Sequence, residues 1–119
     1  MKKLIFSFGY AIKGMFLVLK GQQNMRIHLI ATAVVTLAGI YLGLTAAEWS
    51  IIILTIGMVI VTEMMNTAIE LLVDLVSPEY NKQAGRIKDI AAGAVLLSSI
   101  IATFVAIYIF GNKIFNLLL

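Results

Sequence analysis

Three long apolar stretches, at roughly residues 27–47, 49–76 and 90–110, constrain this chain more than any other feature. The hydrocarbon core of a bilayer is about 30 Å thick, and about 20 helical residues cross it. Each stretch is long enough. None contains proline, and in lipid a helix satisfies its own backbone where an open sheet cannot. Of the 119 residues, 61% are hydrophobic and 13% charged, with a mean hydropathy of +1.03. Soluble domains carry about 25% charged residues, so a water-soluble enzyme, a nucleic-acid-binding module and a disordered tail are all disfavoured. With no cysteine and one histidine, thiol catalysis, disulfide frameworks and multi-histidine zinc sites are excluded. The expectation is one all-α membrane domain over residues 1–119.

Residues 1–21 differ from the three spans. Leu4, Phe8, Ile12, Met15, Phe16 and Leu19 recur every three or four residues. Lys2, Lys13 and Lys20 fall within an arc of roughly 40° on another face. This pattern predicts an amphipathic helix lying in the headgroup plane. A signal peptide is the rival reading, but Lys13 interrupts the apolar stretch and no small-residue cleavage site follows. Lys2, Lys3, Lys13, Lys20 and Arg26 precede the first span, and Lys82, Arg86 and Lys88 lie between the second and third. The positive-inside rule then puts the N-terminus and the 77–89 segment in the cytoplasm and the C-terminus outside, with Lys113 as a mild counter-signal. Trp49, Tyr41 and Tyr108 are expected near the outer interface and Tyr80 near the inner one.

The second span carries the chemistry. Glu63, Asn66, Glu70 and Asp74 lie within roughly 80° of one helix face, and Thr67 extends the stripe. Burying one carboxylate in a span costs about 2.5–3.5 kcal/mol on insertion scales. Three on one stripe, with no basic residue in that helix, require a bound cation or a counter-charge from another segment. Asp74, near Pro78, reads equally well as the wet end of the helix; Glu63, roughly 16 Å deeper, does not. Hard cations such as Mg²⁺ prefer oxygen ligands and take one or two carboxylates together with substrate phosphates. Lys82, Arg86 and Lys88 supply positive charge for phosphate, and Asp89 is expected to open the third span near its helix N-terminus. Positive-inside topology alone also explains those basic residues. No glycine-rich phosphate loop of the soluble nucleotide folds is present. His28, at the start of the first span, reads more readily as structural than catalytic. Gly39 and Gly43 form a Gly-x-x-x-Gly that permits close helix contact.

Glu63-x-x-Asn66-Thr67-Ala68-Ile69-Glu70-x-x-Val73-Asp74, Ala84-Gly85-x-x-Lys88-Asp89-x-x-Ala92-x-Ala94-Val95 and Asn24-x-Arg26-Ile27-His28 together resemble the prokaryotic integral-membrane diacylglycerol kinase and undecaprenol kinase family over nearly the whole chain. The resemblance implies a homotrimer, each chain with an interfacial helix and three spans, in the bacterial cytoplasmic membrane. It implies ATP-dependent phosphorylation of a lipid alcohol, with Mg²⁺ as cofactor. Glu63 is then the general base, Asn66 orients the site, and Glu70 holds the metal. Lys3, Tyr10, Gln22, Tyr80, Asn81, Lys88 and Asp89 match positions at the nucleotide. The Arg26-Ile27-His28 form looks like the undecaprenol kinase branch. Without the resemblance, a transporter or ion-coupled subunit using Glu63 stays open, as does, more remotely, a structural adaptor. One departure stands out: Gln22 occupies a position that is commonly glutamate and a second metal ligand. A neutral amide holds Mg²⁺ with less charge, so Gln22→Glu is expected to lower the Mg²⁺ concentration needed for half-maximal activity; an unchanged requirement removes the argument.

Overall fold

A computed structural model describes residues 1–119 as four helices with no strand: α1 Lys2–Gly21, α2 Gln23–Leu42, α3 Ala46–Val76 and α4 Lys82–Leu118. All four are long and apolar enough to cross a membrane by length and composition. The main packing is α3 against α4, with α2 laid on α3 and α1 touching α2 and α3. The result is a slab of 58 × 43 × 20 Å. Only 14 of 119 residues are buried, too few for a water-soluble core; lipid tails or neighbouring copies must cover the rest.

Local chemistry sets the breaks. Gln22 is extended (φ −117°, ψ 118°) and divides α1 from α2. Across this break the Arg26 guanidinium donates to the carbonyls of Leu19 (3.3 Å) and Lys20 (2.5 Å). A cation is thus supplied to the negative end of α1. The first span stops at Leu42, short of the expected residue 47. Gly43 takes φ 71°, a left-handed conformation open to glycine at no steric cost. Thr45 then starts α3 with a capping box: its hydroxyl accepts from Glu48 N at 3.2 Å, and Thr45 N donates to the Glu48 carboxylate at 2.8 Å. The third span begins earlier than expected. Asn81 Oδ1 accepts from the amides of Gln83 and Ala84, so α4 starts at Lys82 and the 77–89 loop shrinks to five residues. Asp89 therefore lies seven residues inside α4 and does not open it.

The small apolar core sits at the Trp49 end. Leu44, Ile52 and Ile109 are buried there, with Val35, Trp49, Ile56, Val105 and Phe110 packed around them. Gly39 makes this possible, since a Cβ on it would lie 2.8 Å from the Trp49 ring and 2.9 Å from Leu44. The two glycines of the Gly-x-x-x-Gly do different jobs: Gly39 admits an indole, and Gly43 turns the chain. Lys113 seals this end by pairing with Glu48 at 3.0 Å and donating to the Gly43 carbonyl at 3.2 Å. Lys88 pairs with Asp74 at 2.5 Å at the opposite end. Along α3 the two acidic partners are 26 residues apart and along α4 the two lysines 25 apart, so the rungs stand about 38 Å from each other. That exceeds the ~30 Å hydrocarbon core and falls within the ~40–45 Å that includes headgroups. Both ion pairs thus flank the apolar layer.

Gly39→Ala is expected to destabilise the fold. The methyl meets an aromatic ring and a packed leucine, at about 1–3 kcal/mol for overpacking, more than the ~1 kcal/mol that alanine gains in helix propensity. A lower unfolding midpoint in detergent, read by circular dichroism, checks it.

Candidate active site

Counting 30 Å along α3 from Trp49 brings the far edge of the apolar layer to about residue 69. Glu63 therefore lies inside that layer, Glu70 at its edge, and Asp74 beyond it. The exposures follow: Glu63 is 0% exposed, Asn66 5% and Thr67 2%, Glu70 is half-buried and Asp74 exposed. The stripe read from the sequence is thus graded from dry to wet.

A cleft of about 340 Å³ opens over the dry part of this stripe. Asn24 and His28 of α2, Glu63, Asn66 and Glu70 of α3, and Ser99 of α4 supply its polar lining. Ala92 and Val95 supply part of its apolar wall. Inside it, Asn66 Nδ2 donates to Glu70 Oε1 at 3.3 Å, and His28 Nε2 stands 3.7 Å from Glu63 Oε2. Both carboxylate oxygens of Glu63 and Oδ1 of Asn66 are buried without a hydrogen-bond partner. An unsatisfied buried polar group costs about 1–3 kcal/mol, and more when charged. Three together, aimed into one cleft, mark a place where a ligand completes the polar contacts.

The scaffold behind the cleft is itself polar. The Thr62 and Ser98 hydroxyls lie 2.9 Å apart between α3 and α4, one donating to the other, and each is also 2.9 Å from a carbonyl of its own helix, Val59 O and Val95 O, to which the hydroxyl not donating across gives its proton. Thr67 donates to the Glu63 carbonyl at 3.0 Å, which fixes the backbone directly under the carboxylate.

Of the residues singled out in the sequence, Glu63, Asn66 and Glu70 share this cleft. Lys88 is joined to Asp74 of the same stripe, and so answers the demand for a counter-charge from another segment. The remaining positions are not gathered around Glu63. Gln22 sits at the α1–α2 break, two residues from Asn24. The Asn81 side-chain oxygen caps α4. Tyr80 is 95% exposed, and Lys3, Tyr10 and Asp89 are exposed. Tyr10 lies under the Lys13 ammonium at 5.7 Å. Two participants had no clear signal in the sequence. His28 stood out as an interfacial histidine and within the Asn24-x-Arg26-Ile27-His28 segment, neither of which set it against Glu63, and the Thr62–Ser98 bond joins residues 36 apart, a separation that helical periodicity does not address. A double-mutant cycle of Thr62→Val and Ser98→Ala is expected to give a coupling of about 0.6 kcal/mol, and not above ~1.7, because each hydroxyl keeps a carbonyl of its own helix; unfolding in mixed micelles measures it.

Residues 9–110 match the family of prokaryotic diacylglycerol kinases. The chain is 35% identical to the undecaprenol kinase of Bacillus subtilis over 108 residues, 91% of this chain and 88% of the relative. It is 41% identical to a diacylglycerol kinase of Synechocystis over 103 residues, 86% of this chain but 59% of that protein's greater length. With the diacylglycerol kinase of Escherichia coli K12 it shares 29% identity over 100 residues, 84% and 82% of the two chains. A family match over most of the sequence, and a dry carboxylate stripe opening into a cleft at the membrane edge, agree on one conclusion: this chain belongs to the prokaryotic diacylglycerol kinase family.

Proposed function

We propose that the protein transfers the γ-phosphoryl group of ATP to the hydroxyl of a membrane lipid alcohol, undecaprenol or diacylglycerol, at the cytoplasmic face of a bacterial inner membrane. The observation that carries this reading is Glu63, fully buried within the apolar layer with both carboxylate oxygens unpartnered and facing a cleft. A lipid alcohol carries its hydroxyl at the depth where the apolar layer meets the headgroups, which is where the cleft lies. The kinase names of the relatives support ATP as donor. They lend nothing to ion-coupled transport.

In this reading Glu63 accepts the proton of the lipid hydroxyl as its oxygen attacks phosphorus. The alcohol O–H bond breaks, an O–P bond forms, and the bond to the β-phosphate oxygen breaks to release ADP. Phosphoryl transfer requires positioning and charge neutralisation more than covalent help from the protein. Asn66 orients the Glu70 carboxylate through their hydrogen bond. Glu70, with the weaker amide donor Gln22, would hold Mg²⁺. No three acidic or imidazole side chains converge into an all-protein metal cage, and an oxygen set this sparse fits an ion that keeps waters and phosphate oxygens as its other ligands. Bound Mg²⁺ supplies neutralisation of phosphate charge. Lys88, Asp89, Lys3, Tyr10, Tyr80 and Asn81 take the nucleotide side. Lys88 can neutralise phosphate while its pair with Asp74 stays on the wet flank.

The same reading has α1 lying in the inner interface and the other three helices spanning, with the N-terminus inside and the C-terminus outside. Trimer formation covers part of the apolar surface that one chain leaves exposed. The undecaprenol form of the Arg26-Ile27-His28 segment favours that alcohol.

The test is transfer of label from γ-labelled ATP into extracted lipid, with undecaprenol and diacylglycerol assayed side by side in mixed micelles. Label is expected in both or in one, at a higher rate with undecaprenol. Glu63→Gln is expected to lose at least about 10²-fold in kcat while its circular dichroism and melting remain those of the parent. Near-normal turnover in Glu63→Gln removes the assigned base, and no lipid label with the parent protein removes the function.

A further inference from the structure

Glu63 is 0% exposed, whereas the His28 side chain facing it at 3.7 Å is 17% exposed. A base that takes a proton in a dry cleft must lose it before the next turnover. The carboxylate itself has no exposed surface through which to pass the proton to bulk water. A neighbour has to carry the proton out.

The surroundings leave few carriers. Of the titratable groups of α3, the cleft receives, besides Glu63, Glu70, two turns away at about 10.5 Å along the axis and engaged by the Asn66 amide; Glu48 and Asp74 lie at the helix's two ends, paired with Lys113 and Lys88. From α4 the cleft receives Ala92, Val95, Leu96 and Ser99, none of which titrates near neutral pH. From α1 no charged group lines the cleft. On α2, Arg26 is turned to the carbonyls at the end of α1, and Asn24 is a neutral amide. His28 alone combines reach, partial exposure and a ring nitrogen able to accept a proton and pass it on. Its ring also lines a second, apolar cleft running toward Ile52 and Ala106, so His28 stands at the junction of two clefts.

We infer that His28 acts through Glu63 as the outlet by which the proton removed from the substrate hydroxyl leaves the site. The inference rests on the assignment of Glu63 as base. The lipid O–H proton passes to the Glu63 carboxylate. The resulting carboxylic acid gives it to the unprotonated Nε2 of His28, restoring the carboxylate and forming an imidazolium. The imidazolium releases the proton to water, and both residues return to their starting forms.

The experiment compares the parent with His28→Gln and His28→Ala in mixed micelles, with saturating Mg-ATP and lipid alcohol, from about pH 6 to about pH 8.5. Glutamine keeps comparable reach and a hydrogen-bond donor but cannot relay a proton; alanine leaves a space for free imidazole. Both variants are expected to lose about a hundredfold in kcat with the KM values for lipid and ATP little changed. The pH dependence of kcat is expected to differ between the parent and both variants, which a merely structural role of His28 would not produce. Added imidazole is expected to restore turnover in His28→Ala and not in His28→Gln. Three results overturn the inference: parent-like kcat in His28→Gln, a loss confined to KM, or no response of His28→Ala to imidazole. Melting temperatures identify a misfolded variant, and His28→Gln, nearer in volume, decides if His28→Ala fails to fold. If the parent transfers phosphate and Glu63→Gln does not, an unaffected His28→Gln defeats the outlet alone. If the parent is inactive or Glu63→Gln is active, the assignment of the base falls first.

Discussion

The cost of holding Glu63 away from water governs the design of this bundle. A carboxylate in a span opposes insertion by several kcal/mol, and both oxygens of this one lack a hydrogen-bond partner. Everything around it reduces that cost without cancelling it. The His28 ring lies within ion-pair distance, and Thr67 fixes the backbone beneath it. The Thr62–Ser98 bond keeps α4 at the back of the cleft. A residue that gave up its solvation and found full satisfaction within the chain would be inert. Here no protein group hydrogen-bonds either oxygen, and Glu63 lines a cleft.

Such a deficit is sustainable because the other end of the molecule is well made. The indole of Trp49 fits over Gly39, the capping box starts α3, and Lys113 ties α4 to the α2–α3 turn. Apolar packing and polar strain are thus separated along the bundle axis. The buried apolar cluster lies by Trp49, and the unpaired polar atoms lie at Glu63 and Asn66. Few residues of the chain are buried, so much apolar surface is left facing outward.

Much of this was legible in the sequence, and the reasons are physical. Hydropathy over twenty residues reports a bilayer crossing, and a three–four spacing reports a helix face, so the carboxylate stripe and its order of depth could be read directly. Helix ends were less legible. The stop at Leu42 depends on the backbone of Gly43, and the start at Lys82 on one asparagine cap; both are single-residue effects that a hydropathy window averages away. Asp89 was misplaced for that reason. Contacts between helices were not legible at all: the facing of His28 and Glu63 needs the rotation of α2 about its own axis, which the weak amphipathicity of that helix leaves undetermined. α1 is apolar enough to cross a membrane as well as to lie along one, so its composition alone does not separate the two placements.

The paired rungs Glu48–Lys113 and Asp74–Lys88 have a consequence for how the molecule meets its surroundings. They fasten α3 to α4 at two points separated by more than the thickness of the oily layer, so neither helix can slide past the other without dragging a charge into hydrocarbon. The pair therefore behaves as a rigid gauge. Its vertical seating is dictated by the bilayer, and Glu63 is held at one fixed depth whatever lipid drifts up to it.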